Sequence, residues 1–216
     1  MEFKDLEKYD FAILIDKSGS MSYNDCQGGI TRWEQAKRWS KVFAQKCEQY
    51  DDDGIDVIMF DGEAELYEGV TSSKVDELFS KNRPGGSTDT SKALNVIFEK
   101  YFGNDGSKSL FSFFGKKKES SPRKPMIVVC ITDGEPNSKR DVVDTIIRAS
   151  KKINEDSELG VTFIQVGRDD SARRFLQELD DDLVSEGAKF DIVSCKNDKE
   201  MDNTSIEQVL IEAITA

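Results

Sequence analysis

The stretch "FAILIDKSGSMS", residues 11–22, ends an apolar run in a carboxylate, Asp16, and then places hydroxyls at alternate positions, Ser18 and Ser20. Alternation along a turn lets side-chain oxygens converge. Two chemistries want such a set. One is a metal centre built from hard oxygen ligands. The other is an aspartate that takes up a phosphoryl group. Two further polar clusters carry compatible residues. "RPGGSTDT" (83–90) is a glycine-rich loop running into a helix, with Thr88 at the entry, and "TDGEPN" (132–137) follows an apolar run and carries Asp133. Asp16 and Asp133 together balance one divalent cation, and the hydroxyls add neutral oxygens. With no nitrogen or sulfur ligand in reach, Mg²⁺, Mn²⁺ or Ca²⁺ is favoured over zinc or copper. The chain has 0 histidines, which excludes a Ser-His-Asp or Cys-His mechanism and any histidine-ligated metal.

Alternating elements must bring these clusters together. "DFAILI" (10–15), "IDVIMF" (55–60), "MIVVCI" (126–131), "VTFIQV" (161–166) and "KFDIV" (189–193) read as strands. Their apolar runs suit strands buried on both faces. Asp61-Gly62 predicts a hairpin and an antiparallel return strand at 64–69. Apolar residues at three- and four-residue steps predict helices over about 32–50, at 72–80, after the loop at 83–90, after 137, over 171–183, and at the C-terminus through Ile206, Val209, Leu210 and Ala213. The sum is an α/β fold: a doubly wound, mostly parallel six-stranded sheet with one antiparallel edge strand and helices on both faces. Ligands of such sheets bind beyond the carboxyl ends of the strands, where all three clusters lie. Trp33 is expected in the core, and residues 21–32 are expected to form part of the site rim. "DDDG" (51–54) reads as a turn and "DDD" (180–182) as a solvated helix end.

The 216 residues include 37% hydrophobic and 33% charged side chains, with a net charge of -12. That is enough apolar material for one domain, read here as 5–215. The negative surface disfavours nucleic acid and anionic membranes as partners. The four cysteines show no CxxC spacing and are expected to be reduced and mostly buried. "MEFKDLEKYD" has no apolar signal-peptide region, and no apolar run approaches the ~18 residues of a membrane span. A cytoplasmic protein is expected. Residues 103–125 carry six basic and two acidic side chains together with Phe111, Phe113 and Phe114. They are read as a basic, flexible insertion.

"DKSGSMS" resembles the DxSxS motif of von Willebrand factor type A (vWA) domains, "GGSTDT" resembles that family's second loop, and "TDGEP" its third. In the family these segments form the metal-ion-dependent adhesion site. Carried over, the resemblance implies metal ligands at Asp16, Ser18, Ser20, Thr88 and Asp133, with Asp89 as a further carboxylate acting through water. It implies a non-enzymatic, metal-dependent protein-binding module in which a partner protein supplies an Asp or Glu to the ion. The short chain most resembles bacterial cytosolic forms of the tellurium-resistance type. A rival resemblance joins "DKSGS" to the DKTGT of haloacid-dehalogenase-type phosphotransferases. It would make Asp16 a nucleophile, but its second motif needs a Ser or Thr at a strand end, whereas Thr88 follows "NRPGG", and no lysine sits clearly in its third-motif place, Lys139 being the candidate.

Overall fold

The computed structural model describes residues 3–51, 53–103 and 123–215, so the body of the basic stretch at 103–125 lies outside the described residues. Six strands form one sheet: β1 (Asp10–Asp16), β2 (Ile55–Phe60), β3 (Ala64–Val70), β4 (Met126–Thr132), β5 (Leu159–Gln165) and β6 (Val193–Asn197). Their order is β3-β2-β1-β4-β5-β6. Every pairing is parallel except β2 with β3, which is antiparallel through the Asp61-Gly62 turn. From β1 the chain passes outward to β2 and β3, then returns to place β4 on the other side of β1. The switch point therefore lies between the carboxyl ends of β1 and β4, where ligand sites of such sheets are found.

Seven helices flank the sheet among the described residues: α1 (Arg32–Cys47), α2 (Ser72–Lys81), α3 (Thr90–Phe102), α4 (Lys139–Ser150), α5 (Asp170–Asp182), α6 (Asp198–Met201) and α7 (Ile206–Glu212). The pleat of β1 assigns them to faces. Phe11, Ile13 and Ile15 join one apolar cluster with Phe43 of α1, Phe79 of α2 and Val209 of α7. Ala12 and Leu14 join the opposite cluster with Leu94 of α3, Ile146 of α4 and Phe175 of α5. Burying a side chain such as Phe43 contributes about 1.5–3 kcal/mol. Repeated over both faces, that burial fixes the strand ends and hence the site.

Two expectations shift. The last strand occupies Val193–Asn197 instead of 189–193. Its register follows β5, with Val161 opposite Val193 and Gln165 opposite Asn197. Its polar residues are tolerated because it is an edge, and Asp180 of α5 accepts the Cys195 N–H at 3.2 Å. Trp33 is only partly buried, packed on the Phe79 ring with centroids 4.4 Å apart, whereas Trp39 is buried. Cys26, Cys47, Cys130 and Cys195 are all free thiols. No helix among the described residues is long and apolar enough to cross a membrane.

Candidate metal centre

Asp16 closes β1, and the pairing of Ile15 with Ile131 puts it beside Thr132 at the end of β4. Its side chain is 0% exposed. Both oxygens are engaged: Oδ1 accepts the Ser18 N–H at 2.7 Å and Oδ2 accepts the Thr132 hydroxyl at 2.7 Å. Past β1 the chain enters a short 3-10 turn, Gly19–Ser22. This turn brings the Ser18 and Ser20 hydroxyls within 3.1 Å of each other. Ser20 then donates to Oδ1 of Asp133 at 2.9 Å. Four of the five candidate ligands thus form one hydrogen-bonded string across the switch point.

Thr88 reaches the same place through its loop. Gly85 N–H donates to the Lys17 carbonyl at 2.7 Å, and Gly19 N–H donates to the Gly86 carbonyl at 3.2 Å. Gly86 has φ +81°, and a Cβ there would press on the Asp61 carboxylate at 3.3 Å, so glycine is needed for this approach. On the other side Asn137 donates its N–H to the Thr88 carbonyl at 2.7 Å and accepts the Thr88 N–H at 3.1 Å. The three loops are stitched backbone to backbone. The Ser87 hydroxyl is taken by Asn137. Asp89, expected as a further carboxylate, caps α3 by accepting from Lys92 N–H and the Ser91 hydroxyl. The Thr88 hydroxyl has no hydrogen bond among the described residues, although the residue is only 9% exposed.

Two buried carboxylates this close disfavour each other's charge. Burial, then the Asp133 charge, pushes Asp16 up to about 7, against the Ser18 and Thr132 donors that favour its ionised form. Burial also raises Asp133, partly offset by hydrogen bonds from Arg32 and Ser20. Ionised carboxylates held in such a place favour a cation. Among the described residues no group of three or more His, Cys, Asp or Glu side chains is placed to hold a metal ion. Two carboxylates, two serine hydroxyls and a spare threonine hydroxyl make an all-oxygen donor set that fits a hard divalent ion.

Arg32 was expected only within the 21–32 rim, and its contact with Asp133 was not legible. It is the first residue of α1, placed there by the Thr31–Glu34 capping box. Its Nη1 donates to Oδ2 of Asp133 at 2.9 Å, and its Nε and Nη2 donate to Asp25 at 2.8 and 2.7 Å. One local signal existed. A cation in the first turn opposes the helix dipole, so it needs an anionic partner from elsewhere. The segment expected at the rim, residues 21–32, closes where Arg32 N–H meets the Tyr23 carbonyl at 2.9 Å, and Tyr23 stands 60% exposed.

Nothing here favours a nucleophilic role for Asp16, whose side chain is 0% exposed. Lys139 pairs with Glu135 at 2.7 Å.

Residues 11–135 match the family model described as von Willebrand factor type A domain. No curated protein matches significantly. Solved structures do. Manganese-loaded TRAP protein of Plasmodium vivax superposes with a TM-score of 0.57 at 17% identity, covering 91% of this chain and 71% of that one. A von Willebrand factor type A protein from Catenulispora acidiphila gives 0.55 at 16% identity, over 95% of this chain and 41% of that one. Proximal thread matrix protein 1 from the mussel byssus gives 0.57 at 18% identity, over 95% and 47% respectively. The chain thus spans less than half the length of the latter two.

Proposed function

Because the chain belongs to the von Willebrand factor type A domain family, shown by the match over residues 11–135, we propose that it is a non-enzymatic, metal-dependent protein-binding module. Asp16, Ser18, Ser20, Thr88 and Asp133 would hold one divalent cation, Mg²⁺ or alternatively Mn²⁺ or Ca²⁺. The observation that carries this reading is the convergence of three loops on two enclosed carboxylates, with hydroxyls between them and the Thr88 hydroxyl left unpaired. When bound, the cation would supply a Lewis-acidic point for an anionic group of a partner.

The chain's own residues provide the rest. Thr132 and the Ser18 N–H orient Asp16, Ser20 orients Asp133, and Asn137 fixes the height of Thr88. Hydroxyls fill a coordination shell without adding charge. An Asp or Glu of a partner protein would therefore gain a charge-assisted bond to the ion by replacing an exchangeable water. The net charge of -12 requires that partner to bring few other negative charges, or basic flanks. The proposal also places the protein in the cytoplasm, supported by four free thiols. Its assignment to a bacterial, tellurium-resistance-like branch rests on the motif resemblance alone.

The test is calorimetric titration with Mg²⁺, Mn²⁺ and Ca²⁺, followed by recovery of protein partners with and without EDTA. Metal uptake should be lost in Asp16→Ala and weakened in Thr88→Ala, and partner binding should follow it. A partner held equally well in EDTA and by Asp16→Ala would sink the reading.

A further inference from the structure

Arg32 is held on three sides and faces the backbone of Gly167 on the fourth. Asp25 takes its Nε and Nη2 in a fork, at 2.8 and 2.7 Å. Asp133 takes Nη1 at 2.9 Å. The Tyr23 ring faces its Cζ, 5.2 Å from the centroid. The fourth side is open only because residue 167 is glycine at φ +78°: a Cβ there would lie 2.9 Å from Cζ and closer still to Nε. The arginine side chain is 8% exposed and Asp133 is 0% exposed. Planar, bidentate anchoring of this kind fixes a guanidinium in place.

The arrangement divides Asp133 in two. Oδ1 faces Ser20 and the candidate ligand string, while Oδ2 is held by a permanent positive charge. Any cation that Asp133 helps to hold therefore sits one carboxylate away from the guanidinium. In a poorly solvated pocket like charges at that range repel strongly. The same guanidinium compensates Asp133 when no metal is present.

We propose that Arg32 is a resident counter-cation of the metal centre. It holds Asp133 in place in the metal-free protein and lowers the affinity for a divalent ion, so that the ion is exchangeable instead of permanent. This rests on the metal-binding reading above and goes beyond it by assigning affinity control to a residue outside the ligand set.

The experiment uses the full chain and Mn²⁺ as the probe, with wild type, Arg32→Gln and Arg32→Lys compared by calorimetry and by thermal melts in EDTA and in Mn²⁺. Arg32→Gln should melt lower than wild type in EDTA, because Asp133 loses its partner. It should nevertheless bind Mn²⁺ about tenfold tighter or more, and Mn²⁺ should raise its melting temperature further than that of wild type. Arg32→Lys keeps the charge and should stay within about threefold of wild-type affinity. If Arg32→Gln is unfolded in EDTA, recovery of the native circular dichroism on adding Mn²⁺ supports the exchange of one cation for another, and no recovery overturns it. Equal or weaker Mn²⁺ binding by a folded Arg32→Gln overturns this inference alone, as does a lysine variant as tight as the glutamine one. No Mn²⁺ uptake by any of the three overturns the metal-binding reading with it.

Discussion

Thr132 donates its hydroxyl to Oδ2 of Asp16 across 2.7 Å, joining the ends of two neighbouring parallel strands. Thr132 is itself only 2% exposed. Thr132→Val keeps the shape and removes the donor, leaving an enclosed carboxylate oxygen without a partner. We expect a loss of about 1–3 kcal/mol in urea unfolding. Thr132→Ser, which keeps the hydroxyl, should recover most of it. Equal stability of the valine variant and wild type would show that Asp16 draws no support from this bond.

Asp16 also sets a pH dependence. Its folded-state value is raised to about 7 from the ordinary 3.8. The folded protein therefore keeps a proton that the unfolded chain releases. The stability from this group is present at low pH and is lost as pH rises through the folded value. In EDTA the melting temperature of wild type should fall, relative to Asp16→Asn, between about pH 4 and pH 7. The slope has an upper limit of about 1.4 kcal/mol per pH unit. Metal uptake should run the other way and strengthen with pH over the same window, because the cation replaces the proton. Parallel pH profiles for the two proteins would contradict the shift.

The two carboxylates should differ when deleted. Asp16→Ala removes one of two mutually repelling charges, whereas Asp133→Ala takes a partner from the enclosed Arg32. In EDTA near pH 7, Asp133→Ala should be the less stable, toward the lower end of about 3–5 kcal/mol because Asp25 still holds the arginine. Chemical denaturation of both variants measures this, and the reverse order would mean that Asp25 alone satisfies Arg32.

Thr31→Ala removes the cap of α1, whose hydroxyl accepts the Glu34 N–H at 3.1 Å. The expected cost is about 0.5–2 kcal/mol in a denaturation curve. Arg32 is the next residue, so fraying here should also loosen the Asp25–Arg32–Asp133 chain. Intact helix stability in this variant would show that Glu34 suffices.

The sheet was legible because its strands are apolar runs of ordinary length, and because Asp61-Gly62 announced the antiparallel turn in its own two residues. The convergence of Asp16, Ser18, Ser20 and Asp133 was legible for a similar reason. Asp16, Ser18 and Ser20 are spaced for a single turn, and Asp133 stands directly after a strand. Position 32 resisted reading because its meaning is tertiary. Nothing within a few residues says that its guanidinium crosses to Asp133. Only the capping signature of Thr31 and Glu34, with a cation out of place in the first turn, hinted at a distant anion. Strand β6 was misplaced because its register follows β5, while its own sequence, "VSCKN", is mostly polar. The capping role of Asp89 at the start of α3 was not read from the sequence, which assigned it only a water-mediated carboxylate role through the resemblance.

The string that joins β1 to β4 has a kinetic consequence. Ser20 and Asp133 are 113 residues apart, Asp16 and Thr132 are 116 apart, and Arg32 and Asp133 are 101 apart. Contacts of that span form only after the chain has closed its longest loops, and they are lost when β4 leaves β1. A nascent chain that has not yet reached Met126 carries Asp16, Ser18, Ser20 and Thr88 but has no centre to offer an ion. Bound Mn²⁺ should therefore act as a bolt on a finished structure. In stopped-flow measurements it should slow unfolding and leave the refolding rate nearly unchanged. A refolding rate that climbs with Mn²⁺ would mean that the ion gathers the loops before β4 docks.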